Sequence, residues 1–338
     1  MVFAGNFWKG STEHGLSAGF QREGWIVREI EQKDFLATGS TLPEKALARL
    51  TARIRAERYE EAVLSTLHHL QPNVLFTVKG ANLSRRLFEA AYKMGIQTIC
   101  FWPDYHFDYK GVDIEGLLAS SLFITSKSFQ MPWLAERRPA GCTAFIAHGY
   151  DPDAHAPILR TVTETDYTAD IRYVGNHSPA KQRWIEGLYE ALPNAKLQVV
   201  GNRWSQALSH PMASRLVEAR AYIAADYALA VQTAHINVAI HWGKASNGWE
   251  DLTSTRTFEI PACGGFMLHI DNDEVREYFD VGTEIDVFSD IEELADKCRF
   301  YLAHDETRRR MAQKAHERAV PAYSYHARAR EIVELINA

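Results

Sequence analysis

Two doubly wound α/β domains, each built on a parallel sheet, are what this sequence predicts. Three observations lead there. Apolar strand-like runs alternate with helix-length stretches in both halves of the chain. The alternation breaks once, over 147–160 (A-H-G-Y-D-P-D-A-H-A-P-I-L-R), where turn formers and two prolines crowd together as in an interdomain connection. The length, 338 residues, suits about two domains. Strands that alternate with helices need crossover connections, and these cover both faces of a parallel sheet.

The elements follow in order. Residues 2–4 form a short apolar strand opening onto the 5–10 loop. A helix over 11–23 is stopped by Gly24, and W-I-V-R-E-I (25–30) is the next strand. Helices are expected over 44–58 and 61–70, then a strand over 74–78. A helix over 82–94 ends at Gly95 before the strand I-Q-T-I-C-F-W (96–102). A strand over 121–125, a helical stretch to 138 and a strand over 143–147 complete the first half. The second half repeats the rhythm with a strand over 170–175, a helix over 181–191 and a strand over 196–201. A helical stretch from 209 to about 225 precedes the strand 235–241. A short helix inside 251–265 feeds the strand 265–270, and helices follow over 291–303, 305–320 and 327–335. The domains are therefore expected at 1–150 and 151–325, with 326–338 as a separate terminal helix.

Composition removes several function classes. A net charge of −6 argues against the nucleic-acid backbone as a main partner. Cys100, Cys142, Cys263 and Cys298 lie far apart in or beside apolar or helical runs, so buried free thiols in a reducing cytoplasm are expected. The N-terminal apolar run is too short for a signal peptide, and no apolar stretch is long enough for a transmembrane helix.

The most informative stretch is D-L-T-S-T-R-T-F-E-I-P-A-C-G-G, from Asp251 to Gly265. Two carboxylates, Asp251 and Glu259, have seven residues between them, with Arg256 and Thr257 in that interval and two glycines behind. A Ser/Thr-x-x-Glu capping box fails on register here, because Arg256 stands three residues before Glu259. Pro261 should kink or shorten the helix. A carboxylate at this place can accept two hydrogen bonds from a ribose diol.

Other candidates also fall at the carboxyl ends of strands, where open sheets bind ligands. Gly175 and Asn176 precede a helix bearing Lys181 and Arg183, a combination suited to phosphate. It equally describes a tight turn before a solvated helix start. After the next strand, Gly201-Asn202-Arg203-Trp204 offers an exposed Arg and Trp for stacking on a base or holding phosphate; the alternative is Trp204 as an interdomain plug. In the first half, Asp104 and His106 within F-W-P-D-Y-H-F-D-Y are residue types suited to proton transfer or acceptor orientation, and His14 lies near a helix start by the 5–10 loop. Asp104, His106 and Asp108 lack the other ligands a metal would want.

Taken together, T-S-T-R-T-F-E-I-P-A-C-G-G-F-M-L-H, the Asp251-x7-Glu259 spacing, G-N-H-S-P-A-K and the linker resemble the GT-B glycosyltransferases. The resemblance is to the CgeB/YkvP-like group related to glycosyltransferase family 4. It implies a GT-B fold of two Rossmann-like domains facing a cleft, with a C-terminal helix crossing back to the first domain. It further implies ribose binding by Glu259, donor-sugar contact by Asp251, and diphosphate binding by Gly175 and Lys181 with Arg183 or Arg256. The expected function is transfer of a sugar from a nucleotide-diphosphate donor to an unidentified acceptor, with no metal and no further cofactor. A retaining reaction would need no dedicated base; an inverting one would use Asp104 or His106. A sugar-nucleotide epimerase of the same fold and a non-catalytic nucleotide-sugar-binding protein are the alternatives.

Overall fold

The computed structural model describes residues 1–36, 39, 41–218 and 222–337. The chain divides into two compact units, Met1–Ala147 with Arg328–Ala338, and His148–Ala327.

The first unit runs β1 (Val2–Gly5), α1 (Thr12–Arg22), β2 (Arg28–Glu31), α2 (Lys33–Leu36), α3 (Leu42–Leu50), α4 (Ala52–Leu70) and β3 (Val74–Val78). It continues with α5 (Arg85–Lys93), β4 (Gln97–Trp102), α6 (Ile114–Leu118), β5 (Leu122–Thr125), α7 (Met131–Ala135) and β6 (Thr143–Phe145). Among the described residues its six strands are parallel, in the order β2-β1-β3-β4-β5-β6. β3 is buried along its whole length, as a strand covered on both faces must be. Phe3, Phe20 and Phe76 meet edge to face between β1, α1 and β3 at centroid distances of 4.8–6.2 Å.

The second unit runs β7 (Ala169–Val174), α8 (Pro179–Ala191), β8 (Leu197–Val200), α9 (Trp204–Ala207), α10 (His210–Leu216), β9 (Val217–Glu218), α11 (Ala225–Gln232) and β10 (Ala234–Ala239). Then come α12 (Thr255–Ala262), β11 (Met267–Ile270), α13 (Asp273–Tyr278), β12 (Asp286–Phe288), α14 (Ile291–Ala303), α15 (Asp305–Ala319) and α16 (Tyr325–Asn337). The strand order is β12-β11-β10-β7-β8-β9, again all parallel. α16 begins in this unit, and from Arg328 onward the chain groups with the first.

In both sheets the order reverses beside the first strand, between β1 and β3 and between β7 and β10. Those reversals are where an open parallel sheet leaves a crevice at its carboxyl edge.

Several expectations need correction. The expected break near residue 60 is absent: α4 runs unbroken because Tyr59, Val63 and Leu67 form one buried stripe, and the break falls at Thr51 instead. The strand at 25–30 starts only at Arg28, leaving Ile26 exposed. The helix expected at 82–94 begins at Arg85, since Asn82 is left-handed with φ 63°. The stretch 209–225 is not one helix. α10 gives way to β9, whose Val217 and Glu218 pair with Val199 and Val200, while 219–221 lie outside the described residues. Position 338 of the expected terminal helix also lies outside them. Cys100, Cys263 and Cys298 are buried free thiols, whereas Cys142 is only partly buried. Among the described residues no helix is long and apolar enough to cross a membrane.

Candidate functional site

At the carboxyl end of β7 the turn through Gly175 and Asn176 is tied down on several sides. The Gly175 N–H donates to the Val200 carbonyl (2.8 Å), and its own carbonyl accepts the Trp204 indole N–H (2.7 Å). Asn176 Oδ1 accepts the Asn202 N–H (3.1 Å), and its carbonyl accepts from Lys181 Nζ (3.3 Å). Lys181 is buried, with Nζ 5.2 Å from the Trp242 ring centre. Both glycines are sterically required. A Cβ on Gly201, whose φ is +143°, would lie 2.2 Å from the Gly175 carbonyl oxygen. One on Gly175 would lie 2.6 Å from Tyr173 Oη and 2.8 Å from Arg256 Nη1.

Trp204 is fully buried in the second unit's own core. It is therefore neither an exposed stacking surface for a base nor a plug held for another domain; it braces Gly175 from below. Asn202 and Arg203 are exposed beside it, and Arg203 is left-handed with φ 70°. Arg183 is exposed on α8 and makes no ion pair among the described residues.

α12 carries the motif's chemistry. The helix start is tied in a register the Glu-based pattern did not test: Ser254 is the N-cap residue and its backbone N–H donates to Thr257 Oγ1 (3.1 Å), while its own hydroxyl makes no hydrogen bond among the described residues. Thr257 is fully buried, so its part here is to position the helix rather than present a surface. Its hydroxyl also lies 3.0 Å from His269 Nε2, which lies 2.9 Å from His241 Nε2. His269 Nδ1 sits 2.7 Å from the Ile270 carbonyl and must donate to it, which leaves Nε2 as the acceptor for the other two. Burial pushes the His269 imidazole down to about 4, against the Ile270 carbonyl, which favours the cation. The neutral ring thus ties the start of α12 to the ends of β10 and β11. α12 runs through Pro261 to Ala262 and stops at the left-handed Gly264 (φ 79°), where the Gly265 N–H donates to the Ile260 carbonyl (3.1 Å).

Arg256 projects from the first turn of α12. Its Nη2 donates to the Ile240 carbonyl (3.3 Å), its guanidinium carbon lies 5.5 Å from the Tyr173 ring centre, and its buried Nε makes no hydrogen bond among the described residues. Burial opposes its charge. The Tyr173 and Tyr227 oxygens and the Glu259 and Asp251 carboxylates outweigh that and hold it above its ordinary value. The guanidinium is therefore a fixed cation with donor capacity left over, pressed against the Gly175 backbone.

Glu259, one turn on, faces two residues the motif did not reveal. His155 Nε2 lies 3.8 Å from its carboxylate, and Tyr227 is coupled to it electrostatically. The His155 ring stands edge-on to Tyr227 at 5.3 Å. His155 Nδ1 accepts the Asp151 N–H (3.1 Å), so Nε2 carries the proton that faces Glu259. Burial and the Glu259 charge hold the Tyr227 phenol well above its ordinary value. Asp251 is buried, and its carboxylate accepts the Trp242 N–H (3.3 Å). The second unit thus brings Gly175, Asn176, Lys181, Asp251, Arg256 and Glu259 to the β7/β10 reversal.

On the first unit the switch point between β1 and β3 also carries ionisable groups. Lys79 (φ 62°) follows β3, and its Nζ lies 2.8 Å from Asp104 Oδ2 after β4. His106 is exposed, its ring edge-on to Tyr105 at 4.5 Å. His14 is partly buried, and its backbone N–H donates to the N-cap Ser11 (3.1 Å). The group the sequence did not single out is its neighbour Glu13. The Glu13 side chain crosses the end of β1 so closely that a Cβ on Gly5 would lie 2.8 Å from its Cγ. Burial raises the Glu13 carboxyl to about 7. The backbone N–H groups of Glu13 and Asn6 and the Lys79 charge oppose the rise, and Asp104 adds to it.

Comparison with known proteins agrees with this architecture. A family model described as "Glycosyl transferase-like" matches residues 177–334, which span the second unit's site from the turn after Gly175 onward. A search of curated protein sequences finds no match. Among solved structures, the chain is similar to a sucrose-phosphate synthase from Thermosynechococcus elongatus (14% identity, TM-score 0.67, covering 99% of this chain and 98% of that one). It is similar to Anabaena HepE in complex with UDP-glucose (14% identity, TM-score 0.66, 99% of each chain). It is also similar to a glycosyltransferase from Rickettsia africae (10% identity, TM-score 0.63, 99% and 97%). The fold is GT-B.

Proposed function

We propose that the chain is a hexosyltransferase that takes its sugar from a nucleoside-diphosphate donor, passes it to a hydroxyl-bearing acceptor, and needs no metal. The observation that carries this reading is Arg256, a partly buried guanidinium set against the Gly175 backbone at the β7/β10 switch point, with Lys181 bonded to the same turn. Two cations and a glycine turn suit a departing diphosphate, whose charge grows as the bond to the sugar breaks. Glu259, which lies beside His155 and Tyr227, is assigned to the ribose diol, and Asp251 to the donor sugar and the loop after β10. That HepE was crystallised with UDP-glucose makes UDP-glucose the first donor to test. The motif supports the finer grouping with CgeB/YkvP-like proteins, and the free cysteines support a cytoplasmic setting.

In the reaction the acceptor oxygen bonds to the anomeric carbon, and the carbon–oxygen bond to the diphosphate breaks with its electron pair leaving on phosphate. The acceptor proton goes to a base. Glu13, a carboxyl poised near neutrality, suits that role better than Asp104, which is paired with Lys79, or His106, which is exposed.

The test is nucleotide release from UDP-sugars by the whole protein, beside Glu259→Ala. Release that the variant abolishes supports a transferase. A changed sugar configuration on recovered donor supports the epimerase reading instead, and tight donor binding without turnover a binding protein. No change in melting temperature with any nucleotide sugar would sink all three.

A further inference from the structure

α3 is a helix turned inside out. Of its nine residues only Ala48 is buried, while Leu42, Leu47 and Leu50 are 83%, 61% and 83% exposed. Ile54, in the first turn of α4, is 53% exposed. At about 100° per residue the three leucines fall within an arc of roughly 140°, and Ala48 stands roughly opposite Leu50. Leu42 and Leu50 therefore stand out in solvent, while Leu47 and Ile54 line an open groove of this unit together with Asp34, Phe35 and Arg58. Propensity alone does not hold such a short helix. It is started by a full capping box, with the Thr41 N–H donating to Glu44 Oε2 (2.9 Å) and the Glu44 N–H to Thr41 Oγ1 (3.4 Å), and Pro43 lies in its first turn. The chain builds this helix with care and then leaves its apolar side in water.

Charge identifies what covers it. Residues 42–58 contain Lys45, Arg49, Arg53, Arg55 and Arg58 against Glu44 and Glu57, in a protein that is acidic overall. Both carboxylates are engaged, Glu44 in the cap and Glu57 with Arg53 (2.9 Å). Lys45, Arg49 and Arg58 are exposed and make no ion pair among the described residues. Lys45 and Arg49 flank the leucine arc on one side of the wheel. A second copy packed antiparallel on the same stripe would bring these cations face to face. A bilayer carrying negative headgroups meets both demands, because it takes the leucines into its interface and the cations against its phosphates.

We propose that α3 and the start of α4 form a docking surface for an anionic lipid membrane, on which the protein lies without spanning it. This rests on exposure and charge alone and is independent of the reaction proposed above. The experiment is co-sedimentation of the full chain with vesicles of phosphatidylcholine containing about 30% phosphatidylglycerol, beside neutral vesicles and at rising salt. The protein is expected to partition onto the anionic vesicles only. Leu47→Glu with Leu50→Glu should weaken that binding at least tenfold, and Arg49→Glu should weaken it and flatten the salt dependence. All three positions are exposed, so the melting curves of these variants should match the parent and separate lost docking from lost folding. Equal partition onto neutral vesicles, no partition at all, or binding that the variants leave unchanged overturns the proposal. A dimer in sedimentation velocity that the leucine variants dissociate assigns the stripe to a second copy and overturns it too.

Discussion

Replacing Glu13 by Gln tests the first unit's chemistry through stability and rate together. In the folded chain the Glu13 carboxyl keeps its proton up to about 7, against an ordinary 4.5. The sign follows from proton uptake. Between those two values the folded state holds a proton that the unfolded state has released, so stability falls as pH rises through that window and levels off above it. The difference corresponds to about 3 kcal/mol at full burial, and the partial exposure of Glu13 lowers this to about 2. Gln keeps the shape, can accept from the Glu13 and Asn6 N–H groups, and never ionises. Glu13→Gln should therefore match the parent near pH 4.5 and exceed it by about 2 kcal/mol at pH 8, a gain of about 5 °C in melting temperature for a unit of this size. The assay is thermal or urea unfolding of both proteins at the two pH values. Activity should move the other way, with kcat falling about a hundredfold or more and the rise in rate towards pH 7 lost. A gap that is the same at both pH values, or a variant that keeps its rate and pH profile, would refute the reasoning.

Three further outcomes follow from the second unit. Arg256→Lys keeps a charge but loses the planar fork, so catalysis should fall at least tenfold, with donor binding by calorimetry affected less than kcat. Gly175→Ala puts a methyl 2.8 Å from Arg256 Nη1 and 2.6 Å from Tyr173 Oη, so it should displace both and cost about 1–3 kcal/mol in a denaturation curve. His269, held near 4, stabilises the fold above about 6.5 and loses that contribution as pH falls towards 4. A His269→Gln variant should therefore show a shallower acid limb in its melting profile, even though it is less stable at neutral pH.

The parts of this molecule legible in its sequence are those specified by neighbours along the chain. Helix α14 and strand β3 matched their expected bounds because apolar periodicity and nearby stop signals define them. Gly175, Lys181, Arg256 and Glu259 could be singled out because glycine, cation and acid sat at telling spacings beside strand ends. What escaped depends on partners distant in sequence. Trp204 looks the same in a sequence whether it faces solvent or Gly175; only packing against Tyr173 and His177 decides. β9 is a two-residue strand whose register is set by β8. Glu13 is an unremarkable first-turn acid until Gly5, Lys79 and Asp104 gather round it, and His155 looked like linker until the fold put it against Glu259.

The turn after β7 has a consequence for how a ligand would be taken up. Its peptides are fixed by Val200, Trp204, Asn202 and Lys181 before any nucleotide arrives. Ordering a loop on binding costs entropy and slows association, and this turn has little disorder left to surrender. Its amides should exchange with deuterium slowly in the unliganded protein and change little when nucleotide is added. Whatever rearrangement accompanies turnover must then come from other segments, with this turn as the stationary reference against which they move.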